Sequence, residues 1–271
     1  MRIGYFGDGV WAHLAIEKLS ADDRFEIAYI VPRHDKQDPV LKKWATKLGV
    51  PFLLLEDINS SESLSIFSKY ETDLNISMSF NQILGKDILA IASEGFINCH
   101  AGELPFYRGR NILTWALIND ETKFGVTVHY VDEGIDTGDI ILQEISEITD
   151  KDDYCSLLER ASVICSRILF EAVCLIHSGE VERKSQREIH PIGFYCTRRK
   201  PGDEVIDWHS SSRQLFNFVR ALSSPGPVAR THLGEKEFFI ETVEEIRGAP
   251  DYMGISGSVV AKQDGCPIVK T

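Results

Sequence analysis

The first half of the chain alternates short apolar segments with helix-like segments, an order that few folds accommodate. Strand-like runs occur at five places, residues 2–6, 25–31, 52–55, 74–79 and 96–99. Helix-like patterns fill residues 10–19 and 40–48. Such alternation predicts βαβ units and a Rossmann-like α/β domain, whose mostly parallel sheet is flanked by helices.

The first strand ends in the turn Gly7-x-Gly9, which also occurs in dinucleotide-binding folds. Ala12 stands where the third glycine of that pattern would be, and a lone glycine pair is weak evidence for a nucleotide site. We therefore expect a tight strand-to-helix turn rather than a nicotinamide site. Parallel sheets bind ligands beyond the carboxyl ends of their strands, and His100 lies at such an end.

The second half changes character after a long amphipathic helix, which the pattern predicts over residues 153–177. A polar stretch with Pro and Gly follows, and then short alternating segments that are typical of hairpins. These patterns predict a main domain over residues 1–180, a linker over 181–204 and a small β-rich C-terminal domain over 205–271. The last strand-like pattern is interrupted at Thr271, so we expect a truncated C-terminal domain.

The balance of charge disfavours extended nucleic acid as a partner. The chain has 29 Lys and Arg against 41 Asp and Glu, a formal net charge of −12. A negative field repels a polyanion at long range unless the basic residues gather on one face. We therefore expect small-molecule substrates and no nucleic-acid partner.

Signals for membranes and metals are weak. No run approaches the roughly eighteen apolar residues that a membrane helix requires, and the N-terminus leads directly into a strand rather than a signal peptide. The six cysteines form no C-x-x-C pair and resemble no zinc site. We therefore predict an untargeted cytoplasmic protein with reduced thiols, no membrane partner and no bound metal.

Two separated motifs carry the densest chemical signal. The first, F-I-N-C-H over residues 96–100, is followed by L-P-F-Y-R-G-R over residues 104–110. The second, G-I-D-T-G-D over residues 134–139, places Asp136 38 residues after Asn98. In their order and spacing these motifs resemble the folate-dependent formyltransferase family. The resemblance extends over much of the chain and implies an N-formyltransferase.

The resemblance assigns catalysis to Asn98, His100 and Asp136. Formyl transfer to an amine passes through a tetrahedral oxyanion and requires loss of a proton from the attacking nitrogen. An imidazole, with an ordinary pKa near ~6.5, can take that proton near neutral pH. An asparagine amide can donate a hydrogen bond to the oxyanion, and a carboxylate can orient the imidazole. Asn98 and His100 are two residues apart on a strand and therefore share one face.

Cys99 lies between Asn98 and His100, which raises the alternative of a nucleophilic thiol. Successive side chains of a strand point to opposite faces, so Cys99 is expected to face away from its two neighbours. Free cysteine in apolar surroundings usually behaves as a small hydrophobic residue. We therefore favour a structural role for Cys99.

The resemblance implies N10-formyltetrahydrofolate as the formyl donor. Its pterin is expected beside residues 78–84 and the loop at 132–136, largely through backbone contacts. The side chains assigned to this site are Met78, Phe80, Ile83, Leu84 and Asp132. The apolar members of this set would also fit an ordinary core, an alternative that the pattern leaves open.

The expected acceptor is the amine of a nucleotide-linked amino-deoxy sugar, most simply a dTDP-sugar. Residues 105–119 and 198–208 look like the amino-sugar N-formyltransferases of lipopolysaccharide and O-antigen synthesis. Guanidinium groups suit a diphosphate because they pair with it in a forked geometry. The residues assigned to this subsite are Tyr107, Arg108, Arg110, Trp115, Arg198 and Arg220, with Tyr195, Arg199 and Trp208 as further candidates.

Two other functions are weighed against this one. A methionyl-tRNA formyltransferase is disfavoured by the net charge, and because the segment at 32–39 is short where those enzymes carry a long basic insertion. A non-catalytic folate- or nucleotide-sugar-binding protein is disfavoured by the intact catalytic motifs. Similarity to the sugar enzymes also predicts a homodimer.

Overall fold

The computed structural model describes residues 1–246, 248–250 and 252–271. It forms two compact units, each assembled from separate stretches of the chain. The N-terminal unit comprises Met1–Gly109, Gly125–Ser146 and Glu159–Cys196. The C-terminal unit comprises Arg110–Phe124, Glu147–Leu158 and Thr197–Thr271. The predicted boundaries at residues 180 and 205 stay a prediction.

The described residues contain strands, α-helices and one short 3-10 helix, Ser68–Tyr70. The strands are β1 (Arg2–Gly7), β2 (Glu26–Pro32), β3 (Leu74–Met78), β4 (Phe96–His100), β5 (Arg108–Gly109), β6 (Lys123–Tyr130), β7 (Ile140–Glu147), β8 (Tyr195–Cys196), β9 (Ala229–Leu233), β10 (Lys236–Ile240), β11 (Val259–Gln263) and β12 (Cys266–Val269). The helices are α1 (Gly9–Ser20), α2 (Pro39–Leu48), α3 (Ser61–Phe67), α4 (Lys86–Leu89), α5 (Ile112–Ile118), α6 (Tyr154–Ser178), α7 (Gln186–Ile189) and α8 (Ser212–Ala221).

One six-stranded sheet organises the N-terminal unit, in the order β2-β1-β3-β4-β6-β7. The first four strands in that order pair in parallel, and β6 pairs with β4 in the antiparallel direction. This arrangement confirms the predicted fold class. The strand expected at residues 52–55 is reduced to one bridge, between Phe52 and Ile30.

Apolar residues on the strands build the core of the N-terminal unit. Phe6 of β1 is fully buried and its ring lies 5.2 to 5.8 Å from the rings of Tyr29, Phe67, Phe80 and Phe96. Burial of several aromatic side chains is a large stabilising contribution. These contacts therefore join β1, β2 and β4 through one aromatic core.

Helix α6 departs from the expectation that nothing in the chain resembles a membrane span. Among the described residues it is the one helix long and apolar enough to cross a bilayer, with a mean hydropathy of 1.5. Of its most apolar window, 56% is buried inside the protein. The core helix of a globular protein has the same composition, so the helix by itself is weak evidence for a membrane.

The C-terminal unit has a small core of its own, formed by residues of α8 and β9. Leu215 and Val219 of α8 pack with Ala229 of β9. Helix α8 begins with a capping box, in which Ser211 and Gln214 satisfy each other's backbone N–H groups. Strands β9 and β10 form the predicted hairpin, and β11 and β12 form a second one.

Candidate active site

Strand β4 presents Asn98 and His100 at the carboxyl-end edge of the sheet. The side chain of His100 is 9% exposed. Antiparallel pairing with β6 places Asn98 opposite His129, and His100 opposite Thr127. The strand therefore places the two candidate catalytic side chains on one face, as its two-residue period predicts.

The loop between β6 and β7 brings Asp136 to the same edge. Asp136 has a left-handed backbone, with φ of 54°. Gly138 passes so close to the carbonyl of Tyr130 that a Cβ atom there would collide with it. Asp132 closes the loop by accepting hydrogen bonds from the Gly134 N–H, at 3.0 Å, and the Thr137 hydroxyl, at 2.5 Å.

The three side chains assigned to catalysis lie together in the structure. His100 Nδ1 is 3.7 Å from Asp136 Oδ2, and His129 Nε2 is 3.7 Å from Asp136 Oδ1. Asn98 Nδ2 lies 3.2 Å from His129 Nε2. The carboxylate therefore lies between two imidazoles, one of which also contacts the carboxamide.

The tautomer of His100 follows from its contact with a backbone carbonyl. His100 Nε2 lies 2.7 Å from the Tyr107 oxygen, which can only accept a hydrogen bond. We therefore assign the proton of the neutral ring to Nε2. The lone pair of Nδ1 is then directed toward the Asp136 side of the site and can take up a proton.

His129 is a site residue that the sequence did not reveal. Its Nδ1 lies 2.7 Å from the Tyr130 oxygen and donates to it, which leaves Nε2 as the acceptor facing Asn98. Burial lowers the pKa of His129, so its ring is neutral at neutral pH. Neutral His129 therefore orients the Asn98 amide with its N–H groups toward the site. The register of β6 on β4, which becomes visible only in the folded sheet, is the signal that identifies it.

Asp136 remains ionised in this buried setting. Burial by itself would raise the pKa of its carboxyl, but the His100 imidazole and the Gly109 N–H, 2.9 Å from Oδ2, hold that pKa below its ordinary value. An ordinary aspartate titrates near ~3.9. The carboxylate is therefore charged at neutral pH, and a decline of activity between pH 5 and 7 would report another group.

Gly102 leaves no room for a side chain beneath His100. A Cβ atom at this position would lie 2.7 Å from His100 Nε2 and 2.5 Å from the Tyr107 oxygen. We expect Gly102→Ala to displace the imidazole and to lower kcat by about 10- to 100-fold, with chain folding retained. The matched control is Gly254→Ala, whose nearest neighbour would be the flexible Lys270 side chain. Equal kcat values for the two variants in a formyl-transfer assay would contradict this expectation.

The residues assigned to the folate site divide into buried and accessible groups. Met78 and Leu84 are 0% and 6% exposed, and Phe80 packs on Phe6, so these side chains belong to the core. Ile83 is 69% exposed and remains accessible to a ligand. These folate contacts stay a prediction.

One buried polar atom in the segment at residues 78–84 bears on whether a pterin would fit there. Asn81 donates to Asp35 through Nδ2, but its Oδ1 is buried without a hydrogen-bond partner among the described residues. A pterin carries N–H donors that could satisfy such an acceptor. The residues present therefore fit a folate beside residues 78–84.

Two residues assigned to the acceptor subsite lie in the N-terminal unit. Arg108 is 6% exposed and donates to Gln186 Oε1 and to the Ile192 carbonyl. These contacts use donors that a diphosphate would need. Tyr107 contributes its carbonyl to His100, and its ring lies 4.9 Å from that of Phe194. The side chains of Arg108 and Tyr107 thus contact other residues of the protein, which favours structural roles for both.

The other four assigned residues lie in the C-terminal unit. Arg220 is 8% exposed and donates to Asn217 Oδ1 and to two backbone carbonyls. Trp115 donates through its indole N–H to the Thr197 carbonyl, 2.8 Å away. Arg110 and Arg198 are exposed. Acceptor binding by any of these residues stays a prediction.

Cys99 lies where the strand alternation predicts. It is 8% exposed and contacts Cys165 of α6, with the two sulfur atoms 2.7 Å apart. This contact is on the face of β4 that packs against the helix, away from Asn98 and His100. The position favours the structural interpretation of this thiol over a nucleophilic one.

The comparison with known families decides the relationship of this chain. The family model described as formyl transferase matches residues 1–173. A second model, described as formyl transferase, C-terminal domain, matches residues 198–271. The chain belongs to the formyl transferase family. It is a formyl-transferring enzyme, and the donor in this family is N10-formyltetrahydrofolate.

Relatives and solved structures agree with membership of the formyl transferase family. A methionyl-tRNA formyltransferase of Thermodesulfovibrio yellowstonii is 35% identical over 253 residues, which cover 90% of this chain and 80% of that protein. One from Halothermothrix orenii is 33% identical over all of this chain and 89% of that protein. A 4-N formyltransferase from Francisella tularensis has a similar fold, with a TM-score of 0.74, 18% identity, and coverage of 90% of this chain and 98% of the other.

The comparisons overturn two sequence-based expectations about this formyl transferase. Six curated relatives, 28 to 35% identical, are all named methionyl-tRNA formyltransferase. The prediction of a nucleotide-linked amino sugar as acceptor is therefore wrong, as is the prediction of no nucleic-acid partner. The likeness to the sugar enzyme, at 18% identity, supports the fold alone.

Both errors have a physical explanation. The motifs around Asn98 and Asp136 predict formyl transfer in general, so they do not distinguish one amine from another. Net charge is a sum over the chain, whereas a polyanion responds to the local field. Residues 197–271 carry ten basic and ten acidic side chains, so the whole excess of −12 belongs to residues 1–196.

Proposed function

We propose that this chain is a cytoplasmic methionyl-tRNA formyltransferase, which moves the formyl group of N10-formyltetrahydrofolate to the amino group of the esterified methionine. The proposal is carried by the curated relatives, which share that name and match this chain over most of its length. The charge-balanced C-terminal stretch removes the electrostatic objection to a polyanion in that part of the chain.

Within this proposal, His100 is the general base. Its Nδ1 accepts the proton that the attacking amine loses, while Nε2 stays bonded to the Tyr107 carbonyl. The resulting imidazolium lies 3.7 Å from the ionised Asp136, which stabilises the positive charge. The imidazolium then returns this proton to the folate nitrogen as the bond between that nitrogen and the formyl carbon breaks.

Asn98 stabilises the negative charge that develops on the formyl oxygen. One N–H of its amide is directed to His129, and the second N–H is the donor to the oxyanion. An asparagine suits this task because its amide donates a hydrogen bond without titrating. Contacts through His129 and Asp136 thus connect the oxyanion donor to the base.

The test is a formylation assay with initiator tRNA charged with methionine and N10-formyltetrahydrofolate. We expect formyl-methionyl-tRNA to form, at a rate that falls as salt rises because phosphate contacts release counterions. Uncharged tRNA and free methionine are the controls and should accept little or no formyl group. Formylation of a small amine with no reaction on charged tRNA would refute the proposal.

A further inference from the structure

Gln186 connects the two loops that carry the site. Its side chain belongs to α7 and is 2% exposed. Its Nε2 donates to the Asp136 carbonyl, at 2.9 Å, and to the Gly138 carbonyl, at 2.8 Å. Its Oε1 accepts from Nε and one terminal nitrogen of Arg108, at 3.0 and 2.7 Å. The Gln186 carboxamide therefore uses both of its N–H donors and both acceptor positions of its oxygen between these loops.

These contacts close a ring around Asp136. Gln186 holds the Asp136 carbonyl, while the N–H of Gly109, directly after Arg108, holds the Asp136 carboxylate at 2.9 Å. Arg108 is in turn attached to the Ile192 carbonyl, at 3.1 Å. The position of the carboxylate is thus set by the segment at 105–109 and by the segment that begins at Gln186.

The backbone of Asp136 needs such support. Its φ of 54° lies in the left-handed region, which residues other than glycine enter at a cost in free energy. A carbonyl in this partly buried loop that loses its donor adds a further penalty in free energy. Both effects favour rearrangement of the loop once the Gln186 amide is removed.

Resting on the roles proposed above for His100 and Asp136, we propose that Gln186 is a positioning residue for formyl transfer. Its carboxamide fixes the Asp136 loop so that the carboxylate faces His100 Nδ1. Gln186 does not itself reach the reacting atoms in this role. It acts through Asp136, and its removal should reproduce part of the loss that removal of the carboxylate causes.

The residue type is decisive in this inference. Only a neutral amide offers two N–H donors to the carbonyls and one oxygen to Arg108. Gln186→Glu keeps an acceptor for Arg108 but turns an oxygen toward the carbonyls of Asp136 and Gly138. Gln186→Met keeps the approximate volume and removes every hydrogen bond. The two variants therefore separate the donor function from packing.

The experiment compares wild type, Gln186→Met, Gln186→Glu and Asp136→Asn in the formylation of methionyl-tRNA across pH. We expect kcat to fall by about 10- to 100-fold in Gln186→Met, because the carboxylate is misplaced, with little change in KM for the donor. The acid limb of the pH–rate profile should move to lower pH, in the same direction as in Asp136→Asn. A carboxylate that no longer faces the imidazole stabilises its protonated form less.

A matched control is Gln214→Met, which also removes a carboxamide bonded to the backbone, here as the acceptor of the Ser211 N–H in the C-terminal unit. We expect its acid limb to coincide with that of wild type. If Gln186→Met loses kcat with an unmoved acid limb, or retains wild-type kcat, the inference is overturned. Where Gln186→Met fails to fold by circular dichroism, Gln186→Glu decides, since wild-type kcat in that variant also overturns it.

Two outcomes separate this inference from the proposed function. Wild-type activity in Asp136→Asn would remove the proposed role of Asp136 and the inference together. Loss of activity in Asp136→Asn with an unaffected Gln186→Met would overturn the inference alone.

Discussion

Replacing His100 with asparagine is expected to lower kcat by about 10²- to 10⁴-fold, the usual contribution of a general base. The expectation follows from the Nδ1 lone pair, which Tyr107 leaves unprotonated by fixing the proton on Nε2. An asparagine keeps a polar group beside Tyr107 but cannot accept the proton of an attacking amine. The measurement is single-turnover formylation with saturating N10-formyltetrahydrofolate.

The control for this variant is His177→Asn, at an exposed histidine in the last turn of α6. It should retain wild-type kcat, and both variants should melt cooperatively. Because the pKa of Asp136 lies below its ordinary value, an acid limb between pH 5 and 7 would report another group. That limb should disappear in His100→Asn. A variant with wild-type kcat and an intact acid limb would show that another group takes the proton.

Removing the amide of Asn98 is expected to lower kcat by about 10²- to 10³-fold, as for other donors to an oxyanion. The effect should appear in kcat with little change in KM, because the hydrogen bond strengthens as charge develops. Asn98→Ala is the direct variant, and Asn98→Asp keeps the shape while it removes the donor.

The companion substitution His129→Gln tests how Asn98 is oriented. A glutamine oxygen can replace His129 Nε2 as the acceptor of the Asn98 amide, so this variant should be far less impaired than Asn98→Ala.

If Asn98→Ala raises KM and leaves kcat unchanged, Asn98 binds the substrate and does not stabilise the oxyanion.

The fold was predictable where local patterns agree with tertiary packing. The apolar run at residues 2–6 and the helical pattern at 10–19 correspond to β1 and α1 because both bury the face that their period presents. Helix α5 was missed because I-L-T-W-A-L-I is apolar on nearly every side and begins after Asn111, in a left-handed conformation without a side-chain cap. Such a run has no period by which to distinguish helix from strand.

The candidate site was predictable to the extent that it is local or shared by the family. Asn98 and His100 stand at the end of one strand, and Asp136 was found by spacing from Asn98. The sequence did not identify Gln186 and His129 as site residues because the residues that they contact are distant in sequence. Gln186 lies 50 residues from Asp136, and His129 contacts Asn98 through the register of two antiparallel strands. Long-range contacts of this kind leave no local pattern.

The acceptor was not predictable from side-chain type. Arginines that suit a diphosphate on chemical grounds are occupied in the fold, as Arg108 is by Gln186 and Arg220 by Asn217. A guanidinium has the same donors whether it binds a ligand or supports a loop. Only the positions of its partners separate the two roles.

The central claim is that His100 and Asp136 work as one unit, and a double-mutant cycle tests it most directly. Single-turnover rates of formyl transfer are measured for wild type, His100→Asn, Asp136→Asn and the double variant. If the Asp136 carboxylate acts through the imidazole, removing the carboxylate from the His100→Asn variant lowers the single-turnover rate little further. The rate of the double variant then matches that of His100→Asn within about threefold. Multiplication of the two single losses in the double variant would show that the groups act independently and would contradict the account.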